Sequence, residues 1–207
     1  MDKPWWEQYK VDVPEGTEGD YSVSKFTVSK EDADFQNARA TFSFSHRGLF
    51  IKPGTYTELK KGGVILMSDV PSEIRDHMEP IRRARGEVLI VGLGIGMVTS
   101  ACLNKPEVDR VTVVEVAPEV VRLVGDHLKG IHGDKLDIVQ ADIFKWKPPK
   151  GFVWDCAWFD VWDDICEDNL DQMATLNRRF GRRAVWKGSW KRDELLYQRR
   201  RNRNAGW

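Results

Sequence analysis

Val88-Leu-Ile-Val-Gly-Leu-Gly-Ile-Gly-Met97 is followed, after a gap long enough for a helix, by Val111-Thr-Val-Val-Glu115. The first run is apolar without alternation, as expected of a strand buried on both faces of a parallel sheet, and it ends in glycines spaced G-x-G-x-G. Lacking Cβ atoms, Gly92, Gly94 and Gly96 let the backbone turn sharply and approach a ligand closely. Glu115 ends the second run 19 residues after Gly96, the separation at which an acid in a βαβ unit reaches ribose hydroxyls. The pattern predicts an α/β fold: a Rossmann-like, doubly wound, mostly parallel sheet that holds a nucleoside beyond the carboxyl ends of its strands.

Strands and helices alternate from Glu87 onward. Strands are expected over 88–91, 111–115, 137–140 and 153–160, with a fifth at 184–187 and helices near 96–104, 118–128 and 164–179. Ahead of them, runs at 21–28, 40–45, 49–51 and 64–67 suggest a small N-terminal antiparallel β unit, with Phe42 and Phe44 alternating in the second. A helix is expected from Ser72 to about Ala84, kinked or split by Pro80. The first twenty residues read as an irregular arm pinned by Trp5 and Trp6. The expected organisation is arm, β unit and linking helix over 1–85, a ligand-binding domain over 86–190 and a basic tail over 191–207.

At 207 residues the chain allows one domain with an appendage. Cys102, Cys156 and Cys166 show no C-x-x-C pairing, which argues for reduced intracellular thiols. With a polar N-terminus and no run of bilayer length, the expectation is a soluble cytoplasmic protein without membrane contact. The net charge of zero hides an asymmetry: residues 178–207 hold eleven Lys or Arg against Asp193 and Glu194. Such a tail could bind nucleic acid, but pairing with the acidic run before it, or plain solvation, is the favoured reading. That run places Asp160, Asp163, Asp164, Glu167, Asp168 and Asp171 mostly three or four apart, so a helix would display one acidic face. No second ligand pair accompanies these acids, and no metal is assigned. The four histidines fall in no triad spacing and receive no chemistry; His77 alone lies near the presumed pocket.

Met97 stands where the dinucleotide fingerprint needs a third glycine, which disfavours NAD and FAD, and no G-K-[ST] follows the loop. A nucleoside without a phosphate chain remains. Gly92-Leu-Gly-Ile-Gly96, Glu115 and Ala141-Asp142-Ile143 resemble motifs of the class I S-adenosylmethionine-dependent methyltransferases. Within that superfamily, Ile90 in place of an acid, VTVVEV and Asp160-x-x-Asp163 resemble the spermidine-synthase-like branch, and the likeness spans about residues 86–165.

The resemblance implies a methyltransferase of unknown acceptor that uses S-adenosylmethionine. Gly92, Gly94 and Gly96 would pack against its methionine portion and sugar, Glu115 with Val116 beside it would take the ribose, and Asp142 would accept from the adenine amino group. Ile143 would flank the ring, and Asp160 would sit beside the sulfonium. As catalytic residues, Asp160 would orient an amine or take its proton, with Asp163 next in line. Bland readings stay open: a tight glycine turn, a strand-end acid at 115, a turn or N-cap residue at 142. Trp158, Phe159 and Trp162 read as core, with an aromatic wall beside a sulfonium as the alternative.

Aminopropyl transfer is the first alternative function, ranked lower because Val161 and Asp164 replace the usual Ser or Thr and Pro. The second is a noncatalytic nucleoside- or nucleic-acid-binding protein. Only 120 residues run from Val88 to Trp207, few for the full sheet of that family, so strands from residues 21–67 could complete or cap it, or a second copy could in a homodimer.

Overall fold

The computed structural model describes residues 3–42 and 51–204. The N-terminal arm is held by the core: Val11 and Val13 are buried, and Trp6 and Tyr9 pack against the same cluster. The Asp69 carboxylate accepts from the backbone N–H groups of Val11 and Thr57 at 3.1 and 2.7 Å, stitching arm to sheet. That sheet is antiparallel, in the order β1 (Gly16–Glu18), β2 (Tyr21–Val28), β3 (Gly54–Lys61) and β4 (Val64–Ser68).

Between β2 and β3 runs α1 (Lys30–Phe42), so residues 40–42 close a helix rather than open the expected strand. Ser29 caps its start: the Oγ accepts from the Asp32 N–H at 3.0 Å and donates to Asp32 Oδ2 at 2.8 Å. Residues 43–50, which carry the rest of the strands expected at 40–45 and 49–51, lie outside the described residues, and Ile51 is in no strand. The linking helix is split, α2 (Pro71–Asp76) from α3 (Met78–Arg83), at His77. Pro80 causes the split from three residues downstream, because it has no N–H for the carbonyl of Asp76.

The second sheet is parallel throughout, with order β7-β6-β5-β8-β9: β7 (Leu136–Gln140), β6 (Val108–Glu115), β5 (Gly86–Val91), β8 (Trp154–Phe159) and β9 (Ala184–Ser189). Val88 and Ile90 of central β5 join one hydrophobic cluster, and Leu89 and Val91 the other. That two-sided burial explains a run with no polar alternation.

On the first face pack α4 (Met97–Leu103) and a continuous helical run of α5 (Pro118–Val120), a π-helical turn (Val121–Gly125) and α6 (Asp126–His132), through Val98, Cys102, Val120 and Leu128. On the second packs α7 (Asn169–Arg179), through Leu176. The last strand leads into α8 (Arg192–Asn204), so most of the expected tail is helical. Helix α7 starts five residues later than expected, where an apolar stripe of Leu170, Met173 and Leu176 begins. Residues 160–168 are therefore loop and bend, and the expected acidic helix face is not formed; of those acids only Asp171 lies in α7.

Because the connections after β5 and β8 leave toward opposite faces, a crevice opens between their carboxyl ends. Gly92 lies on its floor at φ 93°, and a Cβ there would overlap the backbone oxygen of Asp160. Gly92→Ala should therefore lower stability by about 2–5 kcal/mol, through left-handed strain plus overpacking. Gly130→Ala in α6, where a Cβ would meet nothing within 4 Å, should raise it by about 0.5–1 kcal/mol. Urea unfolding of the two variants beside the parent checks the pair; equal effects would contradict the close approach at 92.

Candidate functional site

Four adjacent strands end in a row of chemistry-bearing residues. In sheet order these are Asp142 just past β7, Glu115 ending β6, the glycine loop after β5 and Asp160 after β8. Neighbouring parallel strands lie about 4.8 Å apart, so the row extends about 14 Å. It suits an elongated ligand lying across the strand ends.

All three loop glycines have positive φ, 93° at Gly92, 54° at Gly94 and 76° at Gly96. Each meets a different neighbour. A Cβ at Gly96 would strike Leu128 of α6, and one at Gly94 would strike the sulfur of Met67 in β4. The N-terminal sheet thus covers the loop with a flexible thioether, which rotates more easily than a branched side chain. Met97, fully buried, fills the place of the missing third glycine.

Glu115 is 8% exposed and spans the floor. Its Oε2 accepts from the Leu93 N–H and its Oε1 from the Ala117 N–H, both at 2.8 Å. Each carboxylate oxygen can take a second donor, so the group can lock the glycine loop and still receive hydroxyls. Val116 next to it is 65% exposed, an apolar surface at the edge of the crevice. The Ala141 N–H donates to the Glu115 carbonyl at 2.8 Å and draws the following loop alongside.

Asp142 behaves as a turn residue: Oδ1 accepts from the Phe144 N–H at 2.9 Å, and Oδ2 lies 3.3 Å from Lys145 Nζ. Ile143 is buried on the α7 face of the sheet, in the cluster of Leu89 and Val91. Packed there, its side chain supports the loop from below. Asp163 is exposed in a bend, within electrostatic reach of Lys61 in β3. Trp158 and Phe159 are core residues on opposite faces of the sheet, and the half-buried Trp162 donates Nε1–H to Gln172 at 2.7 Å.

Asp160 has a partner that sequence spacing did not reveal. Its Oδ2 lies 2.7 Å from Nε2 of His77, 83 positions earlier, while His77 Nδ1 lies 2.8 Å from the Glu73 carbonyl. Both ring nitrogens face oxygen acceptors, so the ring is satisfied only with a proton on each. The ring is buried, flanked edge-on by Trp158 and stacked on Trp190, whose indole N–H groups are both buried without a protein partner. Burial alone would push the imidazole down; the hydrogen bond and charge of Asp160, with the Glu73 carbonyl, outweigh it and hold His77 above its ordinary 6.5. The helix break caused by Pro80 is the local signal that sets His77 apart.

One cleft, of about 460 Å³, lies along α2 and α3, and another, of about 330 Å³, lies between the N-terminal arm, α3 and the end of α4. The first is open and lined by Trp5, Arg75, Asp76, Met78, Glu79 and Arg82. Neither includes a strand-end residue. Among the described residues, no three His, Cys, Asp or Glu side chains converge as metal ligands would, and no helix is long and apolar enough to cross a membrane.

No protein-family model and no curated protein matches the chain. Solved structures match parts of it. A 23S rRNA methyltransferase, ErmE, is 23% identical over 42% of this chain and 34% of its own, with a TM-score of 0.35. The N-methyltransferase NodS from Bradyrhizobium japonicum WM9, solved in complex with S-adenosyl-L-homocysteine, is 17% identical over 51% of this chain and 56% of its own, at 0.39. Spermidine synthase from Thermotoga maritima is 20% identical over 49% and 39%, at 0.38. The chain spans about a third to rather more than half of the length of these proteins.

A histidine held above its ordinary value stabilises the fold fully below the unfolded value of about 6.5, and that contribution is lost as pH rises through the folded value. Nitrogen-detected NMR of the full chain should therefore show His77 titrating above 6.5, and Asp160→Asn should move the midpoint down. Urea unfolding should show the parent losing its advantage over Asp160→Asn as pH rises above the unfolded value of about 6.5 and through the folded one. An unmoved midpoint would mean that the two side chains do not share a proton.

Proposed function

We propose that the chain is an S-adenosylmethionine-dependent methyltransferase, with its cofactor lying along the row from Asp142 to Asp160. The observation that carries this reading is the alignment of Glu115, the glycine loop and Asp160 on adjacent parallel strand ends at a topological switch point. In it the adenine end lies toward Asp142 and Val116, the ribose at Glu115, the amino-acid portion over Gly92–Gly96, and the sulfonium beside Asp160. The fit is chemical as well as spatial. Glu115 retains acceptor capacity, Val116 offers an exposed apolar surface, and the backbone at Gly94 is screened only by a movable Met67.

Bound S-adenosylmethionine supplies a methyl group already activated by positive sulfur, which leaves the protein the tasks of aligning the acceptor and excluding water. Asp160 has one oxygen engaged by His77 and the other unengaged to orient an N–H or O–H of the acceptor. Asp163, exposed and farther along the loop, is a secondary contact for the same acceptor. Met67 of the N-terminal sheet lies over Gly94 and would shield that part of the loop from water.

The test separates binding from turnover. With methyl-labelled S-adenosylmethionine and pooled small-molecule, protein and nucleic-acid acceptors, the full chain should transfer label. Asp160→Asn should cut the rate about 10²–10⁴-fold, with calorimetric affinity for the uncharged S-adenosylhomocysteine falling less than that for S-adenosylmethionine. Transfer of an aminopropyl group from the decarboxylated compound, without methyl transfer, would replace this reading with the aminopropyltransferase one.

A further inference from the structure

The acids of the 160–171 run do not neutralise the arginines. Among the described residues no ion pair joins the two segments; a polar contact between them runs from Asn202 Nδ2 to Glu167 Oε1 at 3.2 Å. Lys191 pairs with Asp76 and Glu194, and Arg192 approaches Asp193 at 3.8 Å. Among the described residues, Arg199, Arg200, Arg201 and Arg203 make no ion pair or hydrogen bond; the last three are exposed and Arg199 is half-buried. Four unneutralised guanidinium groups within five positions repel one another, by a few tenths of a kcal/mol per helical neighbour pair. A sequence that tolerates this cost has a use for the field.

The helix is placed as well as charged. Its apolar side is committed: Leu195 is buried with Leu170 and Met173 of α7, and Leu196 packs on the same cluster beside Trp162. Membrane insertion through that side is therefore unavailable. The outer side carries Tyr197, 66% exposed, with Arg200 and Arg201 three and four positions on, so an aromatic face and two guanidinium forks share one surface. The contact of Asn202 with Glu167 ties the inner side of the last turns to the 160–168 loop and leaves the Tyr197 side facing outward. Arginine forks take phosphates and stack on bases, and an exposed ring between them supplies a sequence-tolerant platform.

We propose that the exposed C-terminal turns of α8, with Tyr197, Arg200, Arg201 and Arg203 exposed and half-buried Arg199 beside them, are a docking surface for single-stranded nucleic acid. The surface stands whichever group the site transfers.

The experiment uses the full chain and a fluorescein-labelled mixed-sequence RNA of about twenty nucleotides, read by anisotropy, with DNA of the same sequence, its duplex, polyglutamate and anionic lipid vesicles in parallel. Neutralising four phosphates gives a slope of about −3 for log affinity against log salt, or about fiftyfold weaker binding between about 50 and 200 mM. Replacing the four arginines together by Gln should flatten that slope and weaken binding at 50 mM at least fiftyfold. Tyr197→Ala should cost about tenfold with the slope unchanged, and replacement by four lysines should keep most of the slope. Circular dichroism checks that each variant folds, and calorimetry with S-adenosylmethionine, expected unchanged in the Gln variant, keeps a failure here distinct from a failure of the methyltransferase reading. The proposal is overturned by absence of binding at 50 mM salt, by equal binding of the Gln variant, or by equal affinity for polyglutamate or vesicles.

Discussion

The crevice depends on a single close approach, the backbone of Gly92 against the carbonyl of Asp160. Strands β5 and β8 run side by side to this point: the Asp160 N–H is bonded to the Val91 carbonyl at 2.8 Å, and the Gly92 N–H to the Val114 carbonyl at 2.9 Å. There the chains part, one into α4 on the first face and the other into the 160–168 loop on the second. A side chain at 92 would force the strand ends apart before the crevice formed. Glycine at that place is a packing requirement as much as a ligand requirement.

Two polar devices then fix what the strand ends present. Glu115 bonds the N–H groups of Leu93 and Ala117, so the glycine loop and the start of α5 are held by one carboxylate. On the other side, His77 bonds Asp160 and the Glu73 carbonyl, tying the broken linking helix to the end of β8. The N-terminal segment is thus part of the site: Met67 covers Gly94, and His77 sets the orientation of Asp160. Charge-assisted bonds to a buried ring are directional, and two indoles leave it no room to turn aside.

The parallel sheet was legible because its determinants are local. Apolar runs, glycines and Glu115 each report their own strand or turn, and the structure places all five strands close to where the pattern put them. The misreadings arose where short-range signals competed. Alternation at Phe42 and Phe44 led residues 40–42, the end of α1, to be taken for strand, the Ser29 cap that starts the helix was passed over, and β3, with its Thr, Tyr and Lys alternation, went unrecognised. Acids at helical spacing suggested a helix over 164–168, where no apolar stripe exists to bury. At the site, Asp160 was legible as a strand-end acid. Its partner was not, because nothing in the spacing of His77 foretells that a proline-induced break turns the ring toward a residue 83 positions away. Likewise the self-capped turn at Asp142 and the burial of Ile143 follow from a loop path that only the tertiary structure supplies.

The central claim is that the crevice between β5 and β8 selects a nucleoside carrying an amino-acid chain over a dinucleotide. Calorimetric titration of the full chain with S-adenosylmethionine, its decarboxylated form, S-adenosylhomocysteine and NAD, side by side, tests it most directly. S-adenosylmethionine and S-adenosylhomocysteine should bind with comparable affinity, the decarboxylated form more weakly, and NAD not measurably, since Met97 occupies the space beneath a pyrophosphate. Binding of NAD in preference to the sulfonium compounds, or of none of the four, would contradict the account.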